Sequence, residues 1–221
     1  MVFYKDNVAY LCDQRGISLT EFEDLIYIPK IRIVDPTPPE LDRIADYFGL
    51  SIDTIVRKDL KLLDRINRSE IKLVVIDVDG TLTDGGMYYT ENGDYIKKFN
   101  SKDGLAIKRK TVEGMQFGII SHAFKGGAIS DRANLLGIQN VYVGQDKKIE
   151  VLKKWCADLK ISLSQVAYIG DDINDLEVMK EIGLAACPRD SVREIKMISH
   201  VILKRNGGDA CVREFIDEWL T

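Results

Sequence analysis

The chain is poor in the features that mark membrane-bound, secreted and nucleic-acid-binding proteins. No apolar run approaches the roughly 18 residues that a membrane helix needs, and Met1 leads into VFYKDNVAYLCDQ without the basic-then-apolar pattern of an export signal. Cysteine is sparse: Cys12, Cys156, Cys187 and Cys211 lie far apart, with no CxxC pair. That spacing argues against a zinc site or a disulfide framework, so reduced packing thiols and a cytoplasmic location are expected. Basic charge is not in excess; the net charge of −4 gives no overall attraction to nucleic acid or to an anionic membrane. Internal repeats and low-complexity tracts are absent as well. What remains is ordinary globular composition, 45% hydrophobic and 30% charged over 221 residues, enough for one main domain and a small appendage.

Residues 1–67 read as short helices. Ser18 with Glu21 forms one capping box; Thr37, Pro38 and Glu40 form a second, with proline at the favoured first helical position; Ser51 caps a third helix after Gly49. The helical module is expected to end near Leu60, with KLLDRINRSE as a polar join. From Ile71 the rhythm changes. KLVVIDV, MQFGIIS, NVYVG, QVAYIG and GLAAC read as apolar strands, and GLAIKRKTVE, AISDRANLLG, KIEVLKKWCADL and DINDLEVMKEIG as the helices between them. Such alternation predicts an α/β domain over 68–221, a Rossmann-like parallel sheet flanked by helices. The exception is GMYYTENGDYIKKF, two alternating runs joined through Asn92-Gly93, which reads as a projecting β-hairpin.

Chemistry concentrates at two strand ends. In VVIDVDGTLTDGG a buried strand, read as Val74 through Val78, delivers Asp77 and Asp79. A carboxylate there is costly to bury unless it is paired or bound to a metal. A second cluster, GDDIND, places Asp171, Asp172 and Asp175 at the end of QVAYI. Taken singly, the clusters could be a turn and a helix cap. Together, at the carboxyl ends of parallel strands where ligands bind, they predict a hard divalent cation, most simply Mg²⁺.

These residues resemble a known family. DVDGTLTDGG, then Ser121 after FGII, then Lys148, then GDDIND reproduce in order the four motifs of the haloacid dehalogenase superfamily of phosphotransferases. The hairpin, FNSKDGLAIK, DRANLLGI, VYVGQDKK and GGDACVRE resemble its capless sugar-acid phosphatases, and the resemblance runs from Ile71 to the end. It implies a phosphatase acting on 3-deoxy-D-manno-octulosonate 8-phosphate or a nine-carbon keto-acid 9-phosphate. Asp77 would be the nucleophile and Asp79 the general acid and base. Mg²⁺ would be held by the Asp77 carboxylate, the Asp79 carbonyl and Asp171, with Asp175 orienting the set. Ser121 and Lys148 would bind the phosphoryl group, Lys147 being the register alternative to Lys148. Asn100, Lys102, Asp103, Gly104, Lys108 and Arg132 would meet the sugar acid, although Lys108 and Arg132 equally fit a solvated helix face. The hairpin would build a homotetramer with sites shared between subunits, and the GGDACVRE tail would contribute in the same way.

Two departures stand out. Where the family has glycine and arginine after its second-motif hydroxyl residue, this chain has His122-Ala123, which puts substrate identity in question; His122 is either a substrate ligand or a loop histidine without such a task. His200, in a strand-like SHVIL run, reads as structural. The amino-terminal module resembles the outer helices of a repressor-type helix-turn-helix, but IYIPKIRIVDPTPP is too short and proline-rich for the usual recognition helix. Residues 1–70 hold 10 Lys and Arg against 13 Asp and Glu, a net of −3, which argues against DNA reading and for a degenerate remnant used in packing or assembly. A non-catalytic regulator that keeps the phosphatase fold is the alternative function.

Overall fold

The computed structural model describes residues 3–57, 59–65, 70–91 and 95–220. The chain divides into two compact units, Met1–Asn67 and Arg68–Thr221. The turn residues Asn92-Gly93 and most of the INRSE end of the join lie outside the described residues. Among the described residues no helix is long and apolar enough to cross a membrane.

The first unit is all helical: α1 (Tyr4–Gln14), α2 (Leu19–Ile26), α3 (Lys30–Val34), α4 (Pro38–Phe48), α5 (Ile52–Arg57) and α6 (Leu60–Arg65). The capping boxes Ser18/Glu21 and Thr37/Glu40 are formed, and Ser51 Oγ accepts from the Thr54 amide at 3.2 Å. Tyr4, Val8, Phe22, Ile33, Ile44 and Ile55 are central to a core of its own. Phe22, Tyr47 and Phe48 form an aromatic cluster with centroids 5.0 to 5.2 Å apart. One expectation needs correction: the helical region runs past Leu60 into α6. The proline-rich segment holds only the five-residue α3, whose Ile33 enters the core; Asp35-Pro36 then stops it, since a residue before proline is driven out of the α region.

In the second unit β1 (Leu73–Ile76) is followed by a hairpin of β2 (Tyr88–Tyr89) and β3 (Tyr95–Ile96), antiparallel with Tyr88 opposite Ile96. Then come α7 (Ser101–Val112), β4 (Gln116–Ser121), α8 (Gly127–Leu136), β5 (Asn140–Val143), α9 (Lys148–Leu159), β6 (Val166–Ile169), α10 (Leu176–Met179), β7 (Leu184–Cys187), α11 (Arg193–Ile198), β8 (Val201–Ile202) and α12 (Cys211–Trp219). The main sheet has the order β5-β4-β1-β6-β7-β8, and every pairing in it is parallel. All four residues of β1 are buried. Leu73 and Val75 pack with Ile149, Leu152 and Cys156 of α9 and Val178 and Met179 of α10, while Val74 and Ile76 point to the other face by the pleat and are equally buried. This two-sided burial is why β1 can be apolar throughout.

The order places β1 between β4 and β6, at the point where the chain, having built outward to β5, returns to the other side. That switch opens a crevice at the carboxyl ends of the strands. The strand stops at Ile76, two residues earlier than the sequence suggests; Val78–Leu82 is a wide turn whose Asp79 and Gly80 are non-helical. The expected helix over DINDLEVMKEIG is also shorter, one tight turn at Ile173–Asp175 followed by the four-residue α10.

Gly183, just before β7, sits so close to the Ser164 carbonyl that a Cβ would lie 1.9 Å from its oxygen. Backbone cannot step aside as a flexible side chain can, so Gly183→Ala should destabilise the protein by about 1–3 kcal/mol in urea unfolding. Gly127, the first residue of α8 with nothing within 4 Å of its Cβ position, is the contrast: Gly127→Ala should be neutral or stabilising by up to about 1 kcal/mol.

Candidate active site

The site begins with register. Ile76 pairs with Ile119 of β4 and with Ile169 of β6, so the next residues along the three strands, Asp77, Ile120-Ser121 and Gly170-Asp171, converge at one end of the sheet. The Asp77 amide donates to the Ile169 carbonyl at 2.9 Å, which fixes the backbone under the first carboxylate. Gly80 follows in the left-handed region, φ 95°. A Cβ there would lie 2.0 Å from Asp171 Oδ2, so only glycine lets the turn close beneath that carboxylate.

Lys148, the first residue of α9, has a side chain 1% exposed and donates to Asp77 Oδ1 and to Asp175 Oδ1, each at 2.6 Å. Asp175 is saturated: Oδ1 also accepts from Tyr168 OH at 2.7 Å, and Oδ2 accepts from the amides of Asp171 and Asp172 at 3.1 and 3.4 Å. Its acceptor capacity goes into holding neighbours. Thr81 Oγ1 donates to Asp171 Oδ1 at 3.1 Å. One carboxylate oxygen from each of Asp77, Asp171 and Asp175 lies within 4.8 Å of the others. Three carboxylates beside one ammonium leave negative charge uncompensated, and all-oxygen donors suit a hard divalent cation. Asp77 and Asp171 retain oxygens for it, while Asp175 sets their positions.

The electrostatics follow. Burial, then the charge of Asp175, raises the Asp77 carboxyl from 3.8 to about 7. Burial, then the charges of Asp77 and Asp175, raises Asp171 to about 8. Burial works against the Lys148 ammonium, but the two carboxylates outweigh it and its pKa is raised.

A cavity of about 400 Å³ opens onto Asp77; its lining is polar at Asp79, Lys97, Ser121, Asp172 and Asn174 and apolar at Met87, Ala123 and Phe124, with His122 and Lys125 also contributing. Ser121 Oγ accepts from the Ala123 amide at 3.2 Å, leaving its O–H to donate into the cavity. His122 Nε2 meets the Asp146 carbonyl at 2.9 Å and Gln145 Nε2 donates to the His122 carbonyl at 2.7 Å, so His122 ties the loop after β4 to the loop that delivers Lys148. His200 Nδ1 accepts from the Ala185 amide at 2.9 Å, a packing role within the sheet.

The six residues expected to meet the sugar acid lie outside this chain's own cavity. Asp103 is buried against α12, where Oδ1 accepts from the Arg213 amide at 2.7 Å; it caps the first turn of that helix. Asn100 caps α7 with its Oδ1 and donates from Nδ2 to the Gly208 carbonyl at 3.1 Å. Arg132 donates to the Asn100 carbonyl at 3.2 Å and stacks over Phe99; Gly104 gives it room, since a Cβ there would lie 2.2 Å from Arg132 Nη2. Lys102 and Lys108 are exposed on α7. The GGDAC tail packs on its own chain, the Gly208 amide donating to the Thr81 carbonyl at 2.9 Å and Cys211 Sγ to the same carbonyl at 3.3 Å. It braces the turn that follows Asp77.

Sequence reasoning passed over Lys97, Thr81 and Tyr168. The sequence carried no signal for Lys97: alternation would turn the apolar Ile96 inward, whereas Ile96 and Lys98 are exposed and Lys97 pairs with Asp79.

Three comparisons bear on the chain. Residues 130–216 match the haloacid dehalogenase-like hydrolase family. The 3-deoxy-D-manno-octulosonate 8-phosphate phosphatase of Yersinia pestis is 36% identical over 155 residues, covering 70% of this chain and 82% of that protein. The crystal structure of the Moraxella catarrhalis enzyme of the same name, in complex with magnesium ion, phosphate ion and a KDO molecule, matches with a TM-score of 0.67 at 32% identity, over 71% of this chain and 88% of that one. The cobalt-bound Haemophilus influenzae enzyme matches with a TM-score of 0.65 at 32% identity, over 68% and 87%.

The raised carboxyls make a stability prediction. Between pH 4 and their folded values, roughly 7 and 8, Asp77 and Asp171 keep protons that the unfolded chain has released, so their contribution is full at low pH and is lost as pH rises through 7 and 8. Metal-stripped protein should therefore lose melting temperature from about pH 5.5 to about pH 8.5. Asp171→Asn should flatten that slope and melt higher at the alkaline end; an unchanged slope would refute the assignment.

Proposed function

Because the chain belongs to the haloacid dehalogenase-like hydrolases, within the 3-deoxy-D-manno-octulosonate 8-phosphate phosphatase subfamily, we propose that it removes the terminal phosphate of a keto-deoxy sugar acid. The substrate would be 3-deoxy-D-manno-octulosonate 8-phosphate or a nonulosonate 9-phosphate, in a cytoplasmic precursor pathway. The observation that carries the reading is Asp77 at the end of the buried β1, held by Lys148 and faced by Asp171 and Asp175. Relatives with magnesium or cobalt in their structures support a divalent cation, and the donor set here suits Mg²⁺.

In this reading an Asp77 carboxylate oxygen attacks phosphorus as the ester P–O bond breaks, and Asp79 gives a proton to the leaving sugar oxygen. Water then attacks the aspartyl phosphate, Asp79 takes its proton, and the bond to Asp77 breaks to release inorganic phosphate. Lys148 and the Ser121 hydroxyl receive the charged phosphoryl oxygens. Bound Mg²⁺ would supply the charge that lets an anionic nucleophile meet an anionic ester; the Asp77 and Asp171 carboxylates and the Asp79 carbonyl would hold it, and Asp175 would orient them.

Inorganic phosphate release from a panel of octulosonate, nonulosonate and hexose phosphates tests the reading. Turnover should require Mg²⁺, vanish with EDTA, prefer one keto-acid phosphate, and fall by several orders of magnitude in Asp77→Asn. Metal-independent turnover, or activity surviving in Asp77→Asn, refutes it.

Lys102 and Lys108 lie off their own chain's cavity and are exposed, which favours their reaching the sugar acid of a neighbouring subunit in a homotetramer assembled through the hairpin. Met87, Tyr88 and Ile96, exposed apolar residues of that hairpin, suit such a contact. Light scattering at micromolar concentration should give four times the chain mass, and a monomer sinks the shared-site proposal. The helical unit, acidic and with only a five-residue α3 where a DNA reader carries its recognition helix, serves packing or assembly in this proposal.

A further inference from the structure

We propose that Lys97 is the positioning residue for Asp79, holding one carboxylate oxygen so that the other faces the ester oxygen that leaves. The inference rests on the phosphatase reading above and adds a residue to it.

Lys97 follows β3 directly and reaches back to the turn after β1, where its ammonium pairs with Asp79 Oδ1. Its side chain is 2% exposed, while that of Asp79 is 27% exposed. Lysine is rarely buried without a partner because desolvating the ammonium is costly. Here one partner is the carboxylate assigned the proton transfers, and both residues line the catalytic cavity. Asp79 differs in this from its neighbours. Asp175 is fixed by four donors, whereas Asp79 lies in the wide turn with non-helical backbone, φ −83° and ψ 108°, and an exposed edge. Without the ammonium its carboxylate would be free to rotate about the side-chain torsion. Proton transfer needs that oxygen within hydrogen-bond reach of the leaving atom. With Oδ1 occupied, Oδ2 is the oxygen that carries the proton to the ester oxygen in the first step and receives the proton of water in the second. The anchor also makes the hairpin part of the machinery, since β3 delivers the lysine.

The decisive measurement compares leaving groups in Mg²⁺-loaded full-length protein. An alkyl phosphate, the best ester of the sugar phosphate panel, leaves as a strong base and needs protonation; p-nitrophenyl phosphate leaves as a weak base and needs little. Lys97→Met should lower kcat/KM for the alkyl ester at least about tenfold more than for the aryl ester. Lys97→Arg, which keeps a cation, should recover part of that ratio. In an Asp79→Asn background, Lys97→Met should have little further effect on the ratio, because the residue acts through Asp79. Equal losses on both esters would show Lys97 to be structural or phosphate-binding and would overturn the proposal while leaving the phosphatase reading intact. So would an unchanged ratio in a Lys97→Met protein that melts like wild type, or an undiminished ratio effect in the Asp79→Asn background. Wild-type protein inactive on both esters overturns the phosphatase reading and this proposal with it.

Discussion

The Lys148 ammonium, shared at 2.6 Å between Asp77 and Asp175, is the contact on which the rest of the site depends. Three carboxylates crowd within 4.8 Å, an arrangement that repels itself in a medium of low dielectric. One buried cation reduces the repulsion and, by bridging, sets the distance between Asp77 and Asp175. It does not cancel it: Asp77 and Asp171 still hold protons well above the ordinary carboxylate range. The surrounding β1, β4 and β6 core must offset that cost, which is why the charge cluster stands at the end of a strand buried on both faces. The same residual negative charge that opposes burial of the cluster suits it to a divalent cation.

Much of this was readable in the sequence because it is written locally. An all-apolar run ending in DVD, a second run ending in GDDIND, and a lysine opening a helix after a strand are each a few residues long, and parallel topology brings such ends together. The parts that escaped depend on distant partners. The Asn100 and Asp103 side chains also serve the tail and the first turn of α12, 108 and 110 residues further on. The strand ends at Ile76 because the turn closes over Gly80 onto Asp171, a contact no strand periodicity reports. The short α3 puts Ile33 into the core of its unit, a packing contact that the local proline signal does not report. Lys97 escaped because alternation would bury the apolar Ile96, yet Ile96 is exposed and Lys97 reaches Asp79.

The division of labour inside the second unit is uneven. In the proposed reading everything that handles phosphate and protons comes from residues 77 to 175; Asp77, Asp79 and Ser121 line the cavity, and Lys148, Asp171 and Asp175 stand around Asp77. Met87, His122, Phe124 and Lys125 line the same cavity. Phe124, 92% exposed, offers a flat apolar face in the loop whose His122-Ala123 departs from the family pattern. Chemistry is thus fixed by the sheet and selectivity is left to the loops around it.

The tail that braces the Asp77 turn has a consequence for how the chain comes into being. Thr81 accepts from Gly208 and Cys211 across more than a hundred residues, among the least local contacts in the molecule. Loop-closure entropy delays such contacts, and a ribosome releases Asp77 long before its brace. The strand carrying Asp77 can pair early, but its turn can acquire the final shape only after α12 has docked. A nascent chain would therefore hold Asp77 in unfinished geometry until its last helix is in place, so that the site is assembled only with completion of the fold.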